Sequence, residues 1–162
     1  MDSELEQLAE QLGETLHSRQ LMMVAAESCT GGWVAKVVTD IPGSSHWFER
    51  GFVTYTNRAK QEMLGVPAAT LEQHGAVSEE TVMAMANGAL AHSQAQVAVA
   101  ISGIAGPGGG SEQKPVGTVC LAWAGLHRNR ATTYHFQGDR EAVRRQAVIE
   151  ALRGMRDYLQ AG

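Results

Sequence analysis

The chain lacks most of what marks a metalloenzyme, a secreted protein or a nucleic-acid binder. Of its 162 residues only Cys29 and Cys120 are cysteines, far apart and in no CxxC pair, so two free thiols are expected rather than a zinc site or a disulfide framework. Six histidines (His17, His46, His74, His92, His127 and His135) never fall at HxH or HExxH spacing, which disfavours metal hydrolysis; no metal is expected. No stretch reaches 18 uninterrupted apolar residues, and the start, Met1-Asp2-Ser3-Glu4-Leu5-Glu6, is acidic where a signal peptide is basic and then apolar. A cytoplasmic protein away from the membrane is therefore expected. The formal charge is −4, and neither sign collects into a block beyond runs such as Arg144-Arg145, which argues against non-specific nucleic-acid binding. Repeats, low-complexity tracts and linkers are also missing, so residues 1–162 read as one domain.

What is present is ordinary globular material, 44% apolar and 19% charged, enough to offset the entropy of ordering. Leu5, Leu8, Leu12 and Leu16 repeat at helical spacing behind Ser3 and Glu6, a capping-box pair. Leu21 to Ala26 reads as a buried strand that runs into Glu27-Ser28-Cys29-Thr30-Gly31-Gly32, with a helix from about Trp33 to Thr39. Gly51 to Thr56 reads as a second strand, and Asn57 caps a short helix ending near Gly65 and Pro67. Ser78, with Glu79 and Glu80 in the first turn, opens a longer helix. Gln96 to Ser102 is a continuous apolar strand of the kind covered on both faces. It enters a loop with five glycines before Pro115. Strands at about Val116–Ala124 and Ala131–Phe136 form a hairpin, and Asp139 caps a last helix. The sum is a three-layer α/β/α domain, a mixed sheet of about five strands with helices on both faces.

Several segments carry residue types suited to chemistry. The turn Ser28, Cys29, Thr30, Gly31, Gly32 sits between a strand and a helix, where N–H groups, hydroxyls and the helix dipole suit a phosphate or an oxyanion; the plainer alternative is a capped glycine turn. Cys29 could be a nucleophile if the helix terminus lowered its pKa, or simply a small core residue. The loop Gly103 to Gly110 has the backbone freedom to approach a ligand closely, but it matches neither a Walker A loop nor GxGxxG. Ser44, Ser45, Tyr55 and Lys60 bring hydroxyls, a phenol and an amine into one short span. A lysine in a partly desolvated site gives up its proton more easily and acts as base toward a serine; otherwise these are turn formers, a packing aromatic and a solvated amine. Arg144 and Arg145 could reach a phosphate or carboxylate bidentately or be solvated.

Taken together and in order, Ala26-Glu27-Ser28-Cys29-Thr30-Gly31-Gly32, Gly43-Ser44-Ser45, Gly51-Phe52-Val53-Thr54-Tyr55, Ala59-Lys60, His74-Gly75-Ala76-Val77-Ser78, Ser102-Gly103-Ile104-Ala105-Gly106-Pro107 and Lys114-Pro115-Val116-Gly117-Thr118-Val119 closely resemble the C-terminal domain of the CinA family, the nicotinamide-nucleotide amidohydrolase domain. The likeness runs from about residue 5 to 160. It implies hydrolysis of the carboxamide of nicotinamide mononucleotide to the acid and ammonia, with no cofactor, in a stand-alone deamidase form. It also implies a homodimer or higher homo-oligomer, for which Trp47 and Phe48 are either contact or core residues. Ser45 is the implied nucleophile, Lys60 its base and Tyr55 a nearby relay or orienting group. The turn Ser28 to Gly32, the loop residues Ser102, Gly103 and Gly106, and Arg145 are the implied substrate contacts. The competing reading is a paralogue that keeps the nucleotide pocket without turnover; a third is a Cys29 thiol enzyme.

Overall fold

The computed structural model describes residues 2–161. The helix α1 (Ser3–Ser18) starts one residue earlier than its Ser3 signal suggests: the Asp2 carboxylate accepts from Leu5 N–H and is the cap. Leu5, Leu12 and Leu16 are buried, as their spacing requires. β1 (Met23–Glu27), the helix α2 (Trp33–Thr39), a 3₁₀ turn at Ser44–His46 and β2 (Phe48–Val53) follow. Next come α3 (Asn57–Leu64), α4 (Ala68–His74), α5 (Glu79–Ala91), β3 (Val97–Gly103), the hairpin of β4 (Thr118–Ala124) with β5 (Arg130–His135), and α6 (Arg140–Ala161). Thr56, not Asn57, caps α3 by accepting from Ala59 N–H at 3.0 Å.

One five-stranded sheet in the order β2-β1-β3-β4-β5 organises the chain. The pairs β1/β2 and β1/β3 are parallel, whereas β3/β4 and β4/β5 are antiparallel. Alternation along the central strands sorts side chains by size. Met23, Ala25, Val97, Val99, Ile101, Val119, Leu121 and Trp123 face α1, α2 and α6, while Val24, Ala26, Ala98, Ala100, Cys120, Ala122 and Ala124 face α3, α4 and α5. Such small residues on the second face let α5 lie close to the sheet. Trp123 fills the centre of the first face and donates to Ala151 O at 3.2 Å; a Cβ on Gly154 would lie 2.0 Å from its ring, so only glycine fits under the indole. Trp47 is likewise core, its ring lying over Gly13, and Phe48 is partly buried against the same cluster. The fold is the expected three-layer α/β/α arrangement.

This topology places the site. β1 is followed by α2 on one face, and β2 returns to β3 through helices on the other. The carboxyl ends of β1, β2 and β3 thus meet at one edge, the crevice where open α/β sheets bind ligands.

Candidate active site

The register Glu27↔Val53 and Glu27↔Ile101 sets the residues just past three parallel strands beside one another. Ser28 N–H donates to Ile101 O at 3.0 Å, and Thr54 N–H donates to Glu27 O at 2.8 Å. Between these ends lies a cleft of about 300 Å³. Ser28 and Cys29 form one side of it, Tyr55, Asn57 and Lys60 another, and the segments Ala76–Val77 and Ser102–Gly109 most of the rest, with Arg140 reaching in from α6. A more open groove of about 500 Å³ lies next to it, lined by His74, Glu79, Lys114 and His135 among others. That groove holds none of the residues singled out for catalysis.

Inside the cleft Lys60 is 1% exposed, and its amine donates to Ser28 Oγ at 2.9 Å and to Thr54 O at 3.0 Å. Among the described residues no carboxylate pairs with it. Burial without a counter-charge pushes its pKa down from the ordinary lysine value. The neutral form has a lone pair, and the 2.9 Å contact can then reverse, with the Ser28 hydroxyl donating to nitrogen. A serine hydroxyl against a desolvated amine is an arrangement in which the amine can act as base toward the hydroxyl.

The turn that carries Ser28 is held from inside by Glu27, itself 1% exposed. Glu27 Oε1 accepts from Thr30 Oγ1 at 2.6 Å, Gly32 N–H at 3.2 Å and Val34 N–H at 2.9 Å, and Oε2 accepts from Ala35 N–H at 3.0 Å. The positive end of α2 is therefore neutralised by the chain's own carboxylate. It does not offer those N–H groups to a phosphate. Gly31 and Gly32, at φ +59° and +104°, supply the left-handed backbone the turn needs.

The remaining candidates divide plainly. Tyr55 and Lys60 line the cleft together, as do Ser28, Cys29, Ser102, Gly103 and Gly106. Thr30, Gly31 and Gly32 lie instead against Trp33, Lys36 and Arg144 on the outer side of the turn. Ser45 is exposed in the 3₁₀ turn before β2, so the whole of β2, roughly 17 Å of extended chain, stands between it and the end of the sheet where Lys60 sits. The structure does not bring Ser45 to Lys60. Ser28, 32 residues away along the chain, takes that place. Arg145 also misses the cleft: its guanidinium pairs with Asp2 at 2.6 Å and Glu4 at 2.9 Å. Arg140, which sequence reasoning passed over, is the arginine at the mouth, donating to Gly106 O at 2.8 Å and to Tyr55 OH at 3.0 Å. Cys29 is buried, and burial raises its thiol to about 11, which argues against a thiolate nucleophile. Among the described residues no cluster of histidine, cysteine or carboxylate groups could hold a metal ion.

The fold is thus a three-layer α/β/α domain of the CinA type, with a serine hydroxyl against a buried, unpaired amine at its strand ends. The chain belongs to the CinA C-terminal domain family, which matches residues 5–159. It is 60% identical to a nicotinamide-nucleotide amidohydrolase of Shigella flexneri over 98% of both chains, and 60% identical to one of Escherichia coli K12 with the same coverage. A third relative of the same name, from Pseudomonas putida, is 55% identical over 91% of this chain and 92% of its own. Among solved structures, a competence/damage inducible protein of Agrobacterium tumefaciens superposes with a TM-score of 0.93 at 45% identity, covering 97% of this chain and 96% of its own. A CinA superfamily protein of Klebsiella pneumoniae gives 0.94 at 37% identity, covering 98% and 99%.

Proposed function

We propose that the chain is an amidohydrolase that converts nicotinamide mononucleotide to nicotinate mononucleotide and ammonia, with Ser28 as nucleophile and Lys60 as its base. The observation that carries this reading is the buried 2.9 Å contact between Lys60 Nζ and Ser28 Oγ at the floor of the cleft; the 60% identity to enzymes of that name supplies the substrate class. Neutral Lys60 takes the Ser28 proton as Oγ bonds to the carboxamide carbon. The resulting oxyanion is stabilised by backbone N–H donors. Lys60 then protonates the departing amino group, the C–N bond breaks, and ammonia leaves an ester on Ser28. A water that gives its proton to Lys60 attacks that ester; the bond to Ser28 Oγ breaks as Lys60 returns the proton to it, and the acid is released.

At the cleft mouth Arg140 and the glycine-rich loop supply donors for the nucleotide's anionic end. The N–H groups of Ala105, Gly106, Gly108 and Gly109 have no backbone acceptor among the described residues, and the Arg140 guanidinium lies beside them. Tyr55, held by Arg140, orients the ligand from the opposite wall. A homodimer and a cytoplasmic location complete the proposal. No helix among the described residues is long and apolar enough to cross a membrane.

The test is ammonia release from nicotinamide mononucleotide by the wild type and by Ser28→Ala, Ser45→Ala and Cys29→Ala. Only Ser28→Ala should be inert. An inactive wild type would favour a nucleotide-binding paralogue, and loss of turnover in Cys29→Ala alone would favour the thiol.

A further inference from the structure

The Ser28 turn is gripped from two sides, and the outer grip has no role in the reading above. Arg144, one helical turn beyond Arg140 on the same stripe of α6, donates from Nε to Cys29 O at 2.9 Å and from Nη2 to Thr30 O at 3.3 Å. No carboxylate pairs with it among the described residues, unlike its neighbour Arg145. Its guanidinium lies 5.8 Å from the Trp33 ring centroid, and a Cβ on Gly31 would stand 3.3 Å from Nη2. The cation is thus fixed against two consecutive peptide oxygens directly after the nucleophile.

A peptide unit is planar and trans, so its N–H points opposite to its C=O. Arg144 reaches the turn from the α6 face of the sheet, whereas Lys60 comes from the α3 face. With Cys29 C=O directed at Arg144, the Thr30 N–H is directed away from α6, toward the side occupied by Lys60 and the cleft. The next N–H, of Gly31, is already taken by Ser28 O at 3.0 Å. Thr30 is 0% exposed, yet its N–H has no backbone acceptor among the described residues. A buried donor without a partner is costly unless something fills it during function.

We propose that Arg144 is a positioning residue of the amide hydrolysis, aligning the Cys29–Thr30 peptide so that the Thr30 N–H binds the oxyanion that forms when Ser28 attacks. The inference rests on the Ser28/Lys60 reading. Drawing density from the Cys29 carbonyl, the guanidinium also polarises the same peptide and strengthens its N–H as a donor.

Steady-state kinetics of Arg144→Met and Arg144→Lys on nicotinamide mononucleotide test it, with thermal midpoints and the dissociation constant for the product acid measured in parallel. Arg144→Met should lower kcat about 10²- to 10³-fold, the loss typical of one oxyanion donor. KM and product affinity should stay within about threefold, because the oxyanion exists only in the transition state. The pH midpoint of kcat/KM should not move, since Lys60 sets it, and Arg144→Lys should recover part of the loss by keeping one donor. Should Arg144→Met fail to fold, Arg144→Lys decides, with an intermediate fall in kcat at unchanged KM. A kcat within about threefold of wild type, a loss carried equally by KM and product affinity, or a displaced pH midpoint each overturns the role. Ser28→Ala separates the layers: if it is inert while Arg144→Met is active, only this inference fails; if Ser28→Ala retains turnover, the underlying reading falls and takes Arg144 with it.

Discussion

Replacing Lys60 with methionine keeps chain length and removes the amine, and the structure sets two magnitudes for it. The first is catalytic: general-base help is worth about 10²- to 10⁴-fold, roughly 2.7 to 5.4 kcal/mol of barrier at 1.36 kcal/mol per decade. The second concerns stability, where two opposing effects meet. Ser28 Oγ and Thr54 O lose the donor they share at 2.9 and 3.0 Å, and a buried acceptor left alone costs about 1–3 kcal/mol. Against that, an amine whose charged form is disfavoured by burial is replaced by a side chain with no desolvation cost. The net change should lie within about 2 kcal/mol, a thermal shift of under roughly 8 °C at this chain length. Turnover should therefore collapse in a protein that remains folded and still binds the nucleotide. The wild type should gain kcat/KM as pH rises through a Lys60 midpoint below the ordinary lysine range, because only the neutral amine accepts the Ser28 proton. For the same group, stability should also rise with pH across that window, since the unfolded chain binds the proton more tightly. Ammonia release, calorimetric binding and a thermal melt on both proteins measure all of this. Turnover in Lys60→Met within tenfold of wild type would refute the assignment.

Ser45→Ala, altering an exposed 3₁₀ turn at the far end of β2, should leave kcat and KM within about twofold of wild type and the thermal midpoint nearly unmoved. Glu27→Gln removes the charge on which four donors converge and turns an amide N–H₂ toward at least one of them. It should cost about 2–4 kcal/mol by urea titration, and kcat should fall with it as the Ser28 turn loosens. The Asp2 carboxyl is held at about 2, first by its hydrogen bond with Arg145. Its contribution is whole above the unfolded carboxylate range and fades as pH falls through about 2. Asp2→Asn should accordingly destabilise the protein by no more than about 1 kcal/mol at pH 7, as befits a solvent-screened pair, and the two melting curves should converge near pH 2.

Periodicity carried most of the architecture. The apolar runs of β1 and β3 declared a sheet covered on both faces, and Ser78 with Glu79 and Glu80 marked the start of α5 as observed. The helix α4 was not legible: its seven residues follow Pro67 without a side-chain cap hydrogen bond, so neither capping nor period signals it. At the candidate site, proximity along the chain differs from proximity in space. Ser45 is nearer to Lys60 in sequence than Ser28 is, but a strand lies between them. What unites Ser28, Tyr55 and Ser102 is that each ends or follows one of three parallel strands, a regularity visible only once strand direction is known. The arginines show the same lesson at finer scale. Arg140 and Arg144 lie one turn apart on a shared stripe facing the cleft and the turn, while Arg145, rotated about 100° further, reaches round to the start of α1.

The anchor of the Ser28 turn is a side chain of the strand that precedes it, so under the proposed mechanism the direction of the attacking hydroxyl is set by the fold itself. A nucleotide entering the cleft would then meet a hydroxyl already aimed. Its binding energy would then be free to select among substrates at the mouth, where Arg140 spans Gly106 and Tyr55. In that reading the rim and the reactive centre are held by separate groups, the first by Arg140 and the second by Glu27.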